Sequence, residues 1–178
     1  LYNLVNHKTL SFEQFDSFLL PNLLMPPLYA YYLYIFSFFN LEDQNFILLI
    51  LFSQIVLASI SVGVFYKINK LFFSKKISFY SSLLFSLFPI YLYACSQISS
   101  VSLTIFLALF FYYYFFKLTN SNKFTYIFLF AVIGGLLILL RREFVIIVIL
   151  SSFYLFFYFK ISIKNVLLVF LISLITIS

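Results

Sequence analysis

Apolar positions in this chain come in long continuous blocks, and charged positions gather in the short linkers between them. The hydrocarbon core of a bilayer takes about 20 apolar helical residues to cross, with a range of roughly 17–25. Blocks at or near that length occupy 45–66, 77–96, 101–118, 125–140 and 144–159, and a sixth, 166–178, begins at Val166. Pro89 inside the second block predicts a kink. Strands of a membrane barrel would show about ten residues of alternating polarity. These blocks are continuously apolar, so the pattern predicts an all-α, polytopic bundle of about six transmembrane helices.

The stretch MPPLYAYYLYIFSFF at 25–39 is uncharged but does not fit that series. From Pro26 to Phe39 it is too short to span and falls in the interfacial or re-entrant range. Pro26 and Pro27 lack the N–H that a first helical turn leaves unpaired, so they suit a helix start. The hydroxyls of Tyr29, Tyr31, Tyr32 and Tyr34 prefer the headgroup layer. Residues 26–39 are therefore expected to form a short helix on the outer leaflet, within an extracytoplasmic region 1–44. The transmembrane part would then be 45–178.

Composition agrees with this division. Hydrophobic residues make up 65% of the 178 and charged residues 9%, whereas a water-soluble domain carries roughly a quarter charged residues. The formal net charge of +6 reads as topology rather than nucleic-acid binding, because the lysines are scattered between apolar blocks. Linkers 67–76, 117–124 and 160–165 hold Lys67, Lys70, Lys75, Lys76, Lys117, Lys123, Lys160 and Lys164, and no acid. The positive-inside rule assigns them to the cytoplasm. Glu42, Asp43, Arg141, Arg142 and Glu143 then fall outside. The chain starts at Leu1 rather than Met and stops within an apolar run, so it is read as a piece of a longer protein.

Candidate chemistry is sparse. Arg141-Arg142-Glu143 is the one ionisable cluster that interrupts the apolar sequence. Two full crossings and a turn need about forty residues or more, and 125–159 is shorter than that. The charged turn should therefore lie near the edge of the hydrocarbon. Guanidinium groups at that depth suit a phosphate, gripped by paired charge-assisted hydrogen bonds. The plainer alternative is a pair of snorkelling interfacial anchors with Glu143 as counter-ion. Gly134-Gly135 reads as a close helix–helix approach, with a ligand pressing on that backbone as the alternative, and Tyr112-Tyr113-Tyr114 as an aromatic belt. Cys95 is alone and forms no internal disulfide. His7 is solitary, so no metal site is expected.

Several short motifs now line up in order: PPLY from Pro26 to Tyr29, the basic turn KINKLFFSKK, then SSLLFSLFPIYLYACSQISS, then AVIGGLLILLRREF. In this order the chain resembles the polytopic glycosyltransferases of the C superfamily (GT-C). In particular it resembles the group of dolichyl-phosphate-mannose protein mannosyltransferases and aminoarabinose lipid A transferases, including the Rgt-like bacterial proteins. The resemblance covers nearly all of residues 20–160.

The resemblance implies an inverting glycosyltransferase that takes a sugar from a polyprenyl-phosphate carrier at the outer face. The acceptor would be a lipid, glycan or protein. By the same resemblance, Arg141, with Arg142 beside it, is the position that helps hold the carrier phosphate. Pro26, Pro27 and Tyr29 belong to the outer loop lining the site. An acidic residue of the first outer loop serves such enzymes as general base, and here it is expected upstream of Leu1. Glu13 and Asp16 lie too close to Pro26 to match it. Met25 stands where many relatives have a basic residue or histidine, and SSVSLTIF lacks an acid that relatives often carry. No cofactor is expected, and a divalent-metal requirement is left open. The alternatives are a membrane transporter or flippase, for which the chain shows no paired interrupted repeats, and a non-catalytic membrane subunit.

Overall fold

The computed structural model describes residues 14–15, 18–19, 27–39, 42–121 and 123–159. A minimal antiparallel pair, β1 (Gln14–Phe15) and β2 (Phe18–Leu19), precedes the helices. Then follow α1 (Leu28–Ser37), α2 (Asp43–Asn69), α3 (Lys75–Ser86), α4 (Pro89–Ser96), α5 (Val101–Asn120), α6 (Phe124–Leu140) and α7 (Phe144–Phe159).

The packing differs from that of a water-soluble protein in two respects. Gln54, Ser61, Ser78, Ser82, Ser102 and Ser152 are buried, while Leu48, Phe52, Phe79, Leu84 and Ile90 are exposed. Hydroxyls survive inside because they bond one turn back along their own helix: Ser61 to the Leu57 carbonyl, Ser82 to Ser78, Ser152 to Val148. Their small size also lets α2 and α3 approach closely. Only 28% of the apolar window of α2 and 33% of that of α5 are buried, so the remaining apolar surface calls for lipid. The chain is a multi-pass helical membrane protein.

The expectation of six spans is corrected downward. Among the described residues α2 and α5 are long and apolar enough to cross a membrane, and α3 with α4 makes a third span if the bent pair counts as one. The block at 77–96 is broken where Phe88 turns extended and Pro89 opens a new helix, with a bend of 50° between the two halves. Proline supplies no N–H to the preceding turn, and its ring excludes a continuous helix. The blocks 125–140 and 144–159 are helical, but α6 has 17 residues, about 25 Å at 1.5 Å per residue, short of a core about 30 Å thick. The sixth expected span, 166–178, lies outside the described residues.

Helix direction follows from cross-helix contacts. Gln54 bonds to Ser99, and Phe72, just past α2, meets Phe116 edge to face at 4.9 Å. Both pairs have nearly the same offset in sequence, so α2 and α5 run parallel. Phe111 stacks on Phe130 at 4.5 Å and Tyr114 lies 6.2 Å from Tyr126, so α5 and α6 are antiparallel. Lys67, Lys70, Lys75, Lys76, Lys117 and Lys123 consequently gather at one end of the bundle, and Arg141 is delivered to the other.

The main core lies between α5, α6 and α7, around the fully buried Phe111, Phe130 and Leu137, with Val148. Gly134 makes this closeness possible: a Cβ there would sit 3.3 Å from Phe111 Cε2 and 3.3 Å from Val148 Cγ2. A second cluster joins Ala58, Tyr91 and Cys95 between α2 and α4. There the Tyr91 hydroxyl donates to the Ala58 carbonyl at 2.8 Å, holding α4 to α2 beyond the proline break.

Candidate functional site: a polar level at the arginine end

Helix α1 is shorter than the 26–39 expected, with ten residues. Pro27 caps its start, and its carbonyl accepts the Tyr31 N–H at 3.1 Å. Pro26 lies outside the described residues. The helix packs against both α2 and α6. Its first residues, Leu28 and Tyr29, reach the main core.

Contact between α1 and α2 is polar. The Gln54 Nε2 donates to the Tyr29 hydroxyl at 3.2 Å and to the Ser99 carbonyl at 3.0 Å. One turn on, Tyr32 stacks with Tyr29 at 5.8 Å between centroids, and its hydroxyl bonds the Ser53 hydroxyl. Ser53 spends its own proton on the Ile50 carbonyl at 2.6 Å, so Tyr32 is the donor. Ser102, buried at the top of α5, donates to the Ala94 carbonyl at 3.3 Å. That bond ties the 97–100 loop down beside Gln54. Burial pushes the Tyr29 hydroxyl up to about 12, opposed in part by the Gln54 hydrogen bond. Tyr29 is therefore neutral at physiological pH and acts as a hydrogen-bonding group rather than a base.

Gln54 is 1% exposed, and its Oε1 has no hydrogen-bond partner among the described residues. An unsatisfied buried acceptor costs about 1–3 kcal/mol. Sequence reading passed over this residue because it carries no charge. The available signal was the lone amide inside FILLILFSQIVLASISVGVF, since a polar group in an apolar span needs a partner or a function.

Arg141 ends α6 in extended conformation, with its N–H on the Leu137 carbonyl at 2.8 Å. The turn is tight: the Phe144 and Val145 N–H groups bond back to the Arg141 and Arg142 carbonyls, each at 3.1 Å. Arg141 is partly buried, while Arg142 and Glu143 are exposed. Ser100 lies eleven residues before Phe111, and Arg141 eleven after Phe130. In an antiparallel pair that spacing carries Arg141 level with Ser100, and so with Ser99 and Gln54. This level is sunk within the bundle. Gln54 lies eleven residues into α2, about 16 Å below its start.

The structure thus brings Tyr29, Gln54 and Ser99 into direct contact and sets Arg141 at the same height, with α1 bridging α2 and α6. Among the described residues no three His, Cys, Asp or Glu side chains converge. What this level offers a ligand is hydrogen bonds, aromatic faces and guanidinium charge. His7, Glu13, Asp16 and Met25 lie outside the described residues.

Comparison with known proteins gives one match. Residues 25–178 fit the family model of the dolichyl-phosphate-mannose-protein mannosyltransferases. Neither a curated protein nor a solved structure matches the chain. The match begins at the Met-Pro-Pro segment and includes every described helix, α1 through α7, and with them the whole polar level. The chain belongs to the dolichyl-phosphate-mannose-protein mannosyltransferase family and is a membrane glycosyltransferase of the GT-C type.

Proposed function

We propose that the protein transfers a sugar from a polyprenyl-phosphate-linked donor to a lipid, glycan or protein acceptor at the outer face of the membrane. The observation that carries this reading is the shared height of Tyr29, Gln54, Ser99 and Arg141 inside the apolar bundle. A donor of this class has a lipid tail, a phosphate and a polyhydroxylated ring. A bundle with lipid-facing sides, two adjacent arginines and a buried hydrogen-bonding level matches those three parts in turn.

In this mechanism the acceptor hydroxyl oxygen attacks the anomeric carbon from the side opposite the phosphate. The bond between that carbon and the phosphate oxygen breaks, inverting the centre, and polyprenyl phosphate departs with one further negative charge. Arg141 and Arg142 stabilise that developing charge. The acceptor proton passes to a general base, a role for which no residue of this chain is assigned. The lysines gathered at the opposite end support this orientation, because the positive-inside rule favours the cytoplasm for them, and the setting in this reading is a bacterial inner membrane. Arg141, Arg142, Pro26, Pro27 and Tyr29 are the residues assigned to the site.

The test is transfer from polyprenyl-phosphate-mannose by the full-length protein in lipid. Replacing both Arg141 and Arg142 with alanine should lower turnover by about 10²-fold or more. Unchanged turnover would remove both arginines from the mechanism. Movement of a lipid across the bilayer without sugar transfer would favour a flippase instead.

A further inference from the structure

Gln54 is the largest polar side chain buried among the described residues, and half of its amide is unmatched. The Ser99 carbonyl can only accept, so the amide nitrogen must face it, and Oε1 cannot take that place by a flip. The Tyr29 hydroxyl accepts from the same nitrogen, which leaves its own proton to give. An acceptor with no partner among the described residues and a hydroxyl whose proton bonds none of them thus belong to one hydrogen-bonded pair, next to the stacked rings of Tyr29 and Tyr32. A hydroxyl group is the ligand that suits both, because it donates and accepts at once. A phosphodiester or carboxylate has no proton for Oε1 at neutral pH.

We propose that Gln54 and Tyr29 form a subsite that reads one hydroxyl of the transferred sugar, Oε1 accepting its proton and Tyr29 donating to its oxygen. The inference rests on the glycosyltransferase reading and adds to it a residue that determines sugar specificity. Oε1 is sealed in this arrangement, so the end of α1 must shift to admit the ring, with Tyr29 donating to the sugar from the shifted position. The arginines hold the phosphate, and Gln54 distinguishes a sugar-bearing carrier from a bare one.

The experiment measures binding of polyprenyl-phosphate-mannose and of bare polyprenyl phosphate to the full-length protein in nanodiscs, unaltered and as Gln54→Leu. Loss of one uncharged hydrogen bond corresponds to about 3–10-fold in affinity. Gln54→Leu should weaken the mannosyl lipid by that factor and leave the bare phosphate lipid unchanged. Equal affinity of the variant and the unaltered protein for the mannosyl lipid overturns the subsite while leaving the transferase reading intact. Failure of the unaltered protein to bind either lipid overturns both. A second measurement needs no variant: among monodeoxy mannosyl lipids, one should bind the unaltered protein more weakly by the same factor. If all bind like the parent lipid, the subsite is overturned.

Discussion

At Gly134, one missing methyl group sets how closely three helices meet. An added Cβ would lie 3.3 Å from Phe111 Cε2 and from Val148 Cγ2, so each must give by a few tenths of an ångström. Gly134→Ala should therefore cost under about 1 kcal/mol, while Gly134→Leu overpacks the core and should cost about 1–3 kcal/mol. Thermal unfolding in lipid nanodiscs reads the difference. This role was legible in the sequence, because a glycine pair in an apolar run has few other uses there. Gln54 was not legible. Its partners come from α1 and from the 97–100 loop, far away in sequence, and no local pattern announces such a convergence. Arg141 and Arg142 stood out because charge in an apolar run is rare, but their height relative to Gln54 needed the helix register.

At the scale of elements, the break between α3 and α4 is the feature most exposed to test. Sequence reading expected a kink at Pro89; the structure shows two helices bent by 50°. The greater bend follows from Phe88 leaving helical conformation entirely. Tyr91 compensates by bonding the Ala58 carbonyl, which keeps its own helical partner within α2. Tyr91→Phe should therefore lower stability by about 0.5–1.5 kcal/mol, seen as a reduced melting temperature with transfer activity largely retained. Helix α1 illustrates a different limit. Its brevity was plain from the length of the apolar run, but its contact with α6 as well as α2 was not, because tertiary packing leaves no mark on a segment without charge or period.

For the whole molecule, composition pointed to a membrane protein, since a surface with few charges cannot face water, and the continuously apolar blocks pointed to helices. The number of crossings was less legible, because hydropathy reports apolar length and not continuity. A proline break and a helix of 17 residues both pass as spans until geometry is seen. The central claim is that α1 and the turn at 141–143 share one face of the membrane, opposite the lysines. Its most direct test is labelling of single cysteines with a membrane-impermeant reagent in intact cells, on a Cys95→Ser background. Ala30→Cys and Arg142→Cys should react from outside, and Lys70→Cys only after permeabilisation. Labelling of positions 30 and 142 from opposite faces would contradict the account, since no single pocket could then contain Tyr29, Gln54 and Arg141.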